Sequence, residues 1–191
     1  MEPFIRFRED RERLYREVDL SPRPASDSQT VISMVMEIEH ANNAGYVHGG
    51  TIMRLVDTAA GIAAARHARR RVVTAAMDDM SFLSPVYIGD LVTMRAMVND
   101  AHRTSMEIGV RVDVETVPTG ETRHVSSAHL VFVGIDEDGK PAPVPPVFAR
   151  TEDEKRRQAQ ARIRREQRLI RKRALAEAVR GAAGDVPPHV A

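Results

Sequence analysis

The segment HANNAGYVHGGTIMRLVDTAAG, His40–Gly61, changes character at Gly49 and Gly50. Before the glycines it is polar and turn-forming. After them it predicts a helix from Thr51 to about Ala68, with Ile52, Leu55, Val56, Ala59, Ala60 and Ala63 on one broad apolar face. The many Ala and Gly residues let the helix backbone approach a surface closely, as a sheet wrapped round it requires. One carboxylate, Asp57, stands in the middle of this helix.

Strand patterns flank the helix. TVISMVMEIE, residues 30–39, alternates Ile32, Met34, Met36 and Ile38 with Val31, Ser33, Val35 and Glu37. Downstream, strands are predicted at 72–80, over LVTMRAMVNDAH, over TSMEIGVRVDVET and over RHVSSAHLVFVGI, joined by short turns. In the third of these, Met106, Ile108, Val110, Val112 and Val114 face a core, and Ser105, Glu107, Arg111, Asp113 and Glu115 face water. A single helix set apart from a run of antiparallel strands is an α+β, two-layer arrangement. Residues 1–28 read as a charged arm followed by the turn-rich linker SPRPASDS, and 29–150 as the folded domain. PAPVPPVFA closes that domain, because its prolines continue neither a ladder nor a helix. TEDE, Thr151–Glu154, is a capping box opening a charged helical tail over 151–191 that reads as solvated, with a frayed end.

Length and composition bound the function. A chain of 191 residues holds one core with extensions. With no Cys there is no disulfide framework, thiol nucleophile or Cys-ligated metal. The charged N-terminus lacks the apolar run of a secretory signal, and no later stretch has the length of a membrane span, so a cytoplasmic protein with no membrane partner is expected. The net charge of +1 conceals a tail with 11 Lys and Arg against 6 Asp and Glu. The acids are interspersed and the tail has no aromatics for base stacking, so no nucleic-acid partner is expected.

Gly49 and Gly50 at the helix start leave backbone N–H groups free to polarise a carbonyl oxygen, or merely permit a tight turn. Asp57 lies seven residues beyond Gly50, ~10 Å along the axis. One helix therefore does not close both features round one carbonyl, whereas two antiparallel helices of a dimer do. The plain alternative for Asp57 is an ion pair with Arg54, and for Asn42 and Asn43 a turn role. The basic run Arg66–Arg71 and Arg103 each read as helix-end or surface charges, or as phosphate contacts. The histidines have no metal-ligand spacing, and there is no GxSxG serine motif.

The segments ANNAGYVHGGTIMRLVDTAAGIAAARH, VVTAAMDDMSFLSPVYIGD, RTSMEIGVRV, GKPAPVPPV and TEDEKRR together resemble the hot-dog acyl-CoA thioesterases, in particular the brain-type cytosolic acyl-CoA hydrolases and their bacterial relatives. The resemblance implies a curved antiparallel sheet wrapped round one central helix, and hydrolysis of fatty acyl-CoA to fatty acid and CoA without a cofactor. It places the family's catalytic Asn on Asn42 and its catalytic carboxylate on Asp57, contributed by different hot-dog units. Asp57 then acts as general base or as nucleophile, beside the Gly49 and Gly50 N–H groups. Candidate substrate contacts are His48, Thr74, Arg103, Thr104 and Ser105, all within the matching segments. A homodimer, assembled further as a trimer of dimers, follows from the same resemblance. Competing readings are an enoyl-thioester hydratase, for which no suitably placed His follows Asp57, and a non-catalytic acyl-CoA sensor with a nucleic-acid-binding tail.

Overall fold

Strand β5, Ser105–Thr116, has the cleanest alternation in the chain and lies at the middle of a five-stranded antiparallel sheet. Around it are β2 (Thr30–Val35), β3 (Val72–Phe82), β4 (Leu91–Ala101) and β6 (Glu121–Gly134), in the order β2-β4-β5-β6-β3. Met106, Ile108, Val110, Val112 and Val114 are buried on one face as the alternation requires. Each such side chain contributes about 1.5–3 kcal/mol of apolar burial. Val110 is opposite Ala96 on β4 and Ala128 on β6, so the core face is continuous across the three central strands. Bulges interrupt the ladders in β3, between β4 and β5 and between β5 and β6, and such insertions bend a sheet. The computed structural model describes residues 18–183, so the charged arm up to residue 17 and the tail beyond 183 lie outside the described residues.

Helix α1, Gly49–Ala68, packs on the core face of this sheet. Ile52, Leu55, Val56, Ala59, Ala60 and Ala63 are buried, as are Ala64 and Ala68. The alanines present only methyl groups to the strands, so the helix sits close enough for the sheet to curve round it. This is the expected α+β hot-dog arrangement. The helix ends at Arg69, whose left-handed backbone (φ 51°) aims its N–H at Ala65 O.

The strand predicted through Ile38 stops at Val35. Met36 N–H bonds to Asp90 O, and the chain then turns through Ile38–His40, leaving Ile38 84% exposed. The Glu37 N–H donates to His40 Nδ1, and this side-chain bond replaces the ladder. The turn formers of SPRPASDS do more than link. Arg23–Pro24 (β1) pairs in parallel with Val147–Phe148 (β7), and the buried Ser28 accepts from Val98 N at 2.9 Å. The proline-rich segment thus does continue a ladder, one of two residues.

Helix α2, Glu152–Ala183, starts at the expected capping box: Glu154 N donates to Thr151 Oγ1 at 3.2 Å, and Thr151 N to Glu154 Oε2 at 3.1 Å. It is not merely solvated. Ala161 is buried, Arg164 holds Glu107 at 2.6 Å, Gln158 donates to Asp100 at 2.9 Å, and Arg168 pairs with Asp78. Glu107 is only 5% exposed, although alternation assigns it to water. The helix covers the outer face of the sheet, and carboxylates buried there require charged partners. From Ile170 to Ala178 the side chains are exposed. Among the described residues no helix is long and apolar enough to cross a membrane.

His67, near the end of α1, is 1% exposed and donates from Nε2 to Pro145 O at 2.9 Å, while its Nδ1 has no partner. Burial holds this imidazole below its ordinary value of 6.5, against the smaller opposing effect of the Pro145 bond. Above pH 6.5 both folded and unfolded chains carry it neutral. Below, the unfolded chain takes up a proton that the folded chain resists, so stability falls with pH by at most about 1.4 kcal/mol per unit. In urea melts between pH 7 and 5, His67→Gln should lose this component, narrowing the gap to the parent as pH falls. Parallel curves would show that His67 does not carry it.

Candidate active site

The loop before α1 is closed by a bridge between Ala41 and Val47 and turned at Gly45, where φ is 81°. Asn42 organises it. Its Oδ1 accepts from Ala44 N at 2.8 Å and from Tyr46 N at 3.2 Å. The turn role of Asn42 is therefore real, and it also fixes the amide: with Oδ1 engaged, the Nδ2 hydrogens are the group left for a ligand.

His48 is the N-cap of α1, accepting from Gly50 N through Nδ1 at 2.9 Å. The expectation that both glycine N–H groups are available to an oxyanion is thus corrected. Gly50 is occupied by the cap, and Gly49 keeps the N–H that has no acceptor among the described residues. The cap explains the second glycine, since a Cβ at Gly50 would lie 3.0 Å from His48 Nδ1. With Nδ1 accepting, the ring presents Nε2–H outward. Phe82, which sequence reasoning passed over, stands beside this terminus, its ring 3.6 Å from a Cβ built on Gly49.

Asp57 accepts from Thr74 Oγ1 at 2.7 Å. Thr74, expected as a substrate contact, donates its hydroxyl hydrogen to one carboxylate oxygen and leaves Oδ2 open. Among the described residues no ion pair joins Asp57 to Arg54. Gly49, Met53 and Asp57 follow one another at intervals of four on a single helix stripe. That stripe runs along β3 from Phe82 at one end to Thr74 at the other. Asn42 and Asp57 share no hydrogen bond within the chain. The helix terminus and the carboxylate therefore lie apart within the chain, as the spacing of Gly50 and Asp57 requires.

Arg103 and Thr104 lie in the turn between β4 and β5, and Ser105 opens β5; Arg103 O accepts from Val144 N and Thr104 O from Gly134 N. Ser105 pairs with Val133, which pairs with Val73, so this turn lies two strands from Thr74, ~10 Å away at the same end of the sheet. In the basic run at the end of α1, Arg66 donates to Gln29 O and Arg71 to Asp136 O, while Arg70 Nε is buried without a partner. Among the described residues no three His, Asp or Glu side chains are grouped to hold a metal ion.

Residues 44–120 match the family model described as the thioesterase superfamily. A hexameric acyl-CoA thioesterase solved without ligand superposes with a TM-score of 0.77 at 36% identity, over 80% of this chain and 97% of that one. The chain belongs to the thioesterase superfamily. Another member, YkhA of Bacillus subtilis, an uncharacterized acyl-CoA thioester hydrolase, is 42% identical over 59% of this chain. This superfamily chain spans 66% of YkhA's length and 37% of the length of the rat cytosolic acyl coenzyme A thioester hydrolase. The acyl-CoA hydrolase of Staphylococcus aureus, solved with butyryl coenzyme A and coenzyme A, superposes with a TM-score of 0.77 at 31% identity, over 84% of this chain and 98% of that one. It was also solved as single alanine variants of an Asn, of an Asp fifteen positions later and of a Thr seventeen beyond that.

Proposed function

We propose that the protein hydrolyses acyl-CoA to a carboxylic acid and CoA at a site completed by a second copy of the chain. The observation that carries this reading is Asp57, held through one oxygen by Thr74 on a helix otherwise built for burial. Asn42, Asp57 and Thr74 stand at the same intervals, fifteen and seventeen, as the three residues replaced in the S. aureus hydrolase.

Strand β3 supports the second copy. It is an edge strand of eleven residues, with Val73, Met77 and Phe82 exposed, and Met53 and Ile62 of α1 are exposed as well. Long apolar edges of this kind are otherwise aggregation sites, and pairing covers them. Two β3 edges paired antiparallel about a two-fold near Met77 bring Thr74 and Asp57 of one protomer to the Phe82 and Gly49 end of the other. Three such dimers make the hexamer. In this site Asn42 Nδ2 and Gly49 N–H polarise the thioester carbonyl. Oδ2 of the other protomer's Asp57 takes a proton from water as its oxygen attacks the carbonyl carbon. The tetrahedral intermediate collapses by breaking the C–S bond, and the proton on Asp57 passes to the departing thiolate. His48 Nε2–H and the Arg103–Ser105 turn supply polar contacts to the substrate. The chemistry invokes no cofactor, and the setting is the cytoplasm.

A thiol-release assay across saturated acyl-CoAs from butyryl to palmitoyl tests the activity. Turnover on the order of 10 s⁻¹ is expected for the best chain length. No thiol released from any of them, or loss of the double bond of an enoyl-CoA without thiol release, would overturn the reading.

A further inference from the structure

A groove of about 590 Å³ runs between the outer face of the sheet and α2, away from the core face that α1 covers. Five arginines line it and no carboxylate does. Their acids stand outside the lining. On the sheet wall Arg95 and Arg111 share Asp113, at 2.7 and 2.9 Å. On the helix wall Arg156 and Arg157 share Asp153. Each trio carries a net charge of +1, and the fifth arginine, Arg164, is committed to Glu107. On the floor the Asn99 amide lies against the backbone of Gly109, where a Cβ would lie 2.7 Å from its Nδ2, so a larger residue would displace it.

From these two half-neutralised guanidinium pairs on opposite walls, we propose that the groove binds a phosphoanhydride anion, one phosphate to each wall. A guanidinium has five donors in a planar fork, so an arginine that gives one or two to aspartate keeps others for phosphate oxygens. Burial opposes ionisation of Asp113, but the bonds from Arg111 and His124 and the nearby positive charges outweigh it and hold its carboxyl low. The trios thus keep their charge, and stay net +1, through the neutral range. A diphosphate is the smallest ligand that offers charge to both walls at once, and the volume leaves room for a group attached to it.

The probes are pyrophosphate, ADP and CoA, titrated calorimetrically into the full chain at constant ionic strength, with Arg95→Gln/Arg156→Gln as comparison. Both side chains are more than half exposed, and far-UV circular dichroism with thermal melts verifies the fold. Saturable pyrophosphate binding is expected, weakened at least tenfold in the double variant. Arg95→Lys/Arg156→Lys should fall between, because an ammonium keeps the charge and loses the fork. Should the double Gln variant fail to fold, this Lys variant carries the comparison. Two sources of the diphosphate are told apart kinetically. If it is the head of CoA itself, pyrophosphate raises KM for acyl-CoA and the double variant does the same. If it is a separate nucleotide, ADP binds while KM is unchanged. No saturable pyrophosphate binding at millimolar concentration, or equal binding by the parent and both variants, overturns the proposal, whether or not thioesters are hydrolysed.

Discussion

Asp57→Asn is expected to lower kcat for acyl-CoA hydrolysis by about a thousandfold, the scale of a lost general base. The substitution is nearly isosteric. The Asn Oδ1 still accepts from Thr74 Oγ1, so the link between α1 and β3 survives, as does the half-buried position on the helix. What is lost is the second oxygen, the one left open to take a proton from water. Binding of CoA, measured directly, should change little, and the thermal midpoint should stay near that of the parent. Thiol release by the variant at close to the parent kcat would remove Asp57 from the mechanism, whatever the dimer does.

The second large effect comes from mixing two inactive variants. Asn42→Asp keeps an oxygen for the Ala44 and Tyr46 N–H groups but has no amide hydrogens for the substrate. Alone, it should be as silent as Asp57→Asn. After subunit exchange at equal amounts, half of the dimers are mixed, and each mixed dimer pairs an intact Asn42 with an intact Asp57 at one of its two sites. About a quarter of parental activity should therefore return. If each chain housed its own complete site, every site in the mixture would carry one defect and nothing would return. That outcome would exclude the shared site while leaving Asp57 as a base.

Much of this arrangement is legible from residue order. The alternation from Met106 to Val114 and the small-residue face from Ile52 to Ala63 define the sheet and the helix it wraps. The seven-residue separation of Gly50 from Asp57 already keeps the two apart on one helix, and in the structure Gly49 lies beside Phe82 at one end of β3 and Asp57 beside Thr74 at the other. Other features leave no periodic trace. The His48 cap is a side-chain bond inside a stretch that reads as a flexible turn, and it halves the donors that the glycine pair offers. Thr74 meets Asp57 from another element, seventeen positions away, through one hydrogen bond. The docking of α2 is hidden because alternation assigns Glu107 to water, and an arginine-rich helix is read as wet on every side. The Arg23–Pro24 ladder escapes for a similar reason, since prolines are taken as the end of pairing.

The docking of α2 also bears on how such a chain can change over time. Loss of Arg164 alone would strand Glu107 without water and without a counter-charge, a heavier penalty than most surface changes carry. Loss of the whole helix would return Glu107 and Asp100 to solvent, where neither needs a partner. An appendage held by charges of this kind is acquired or discarded in a single step, and is resistant to being worn away one residue at a time.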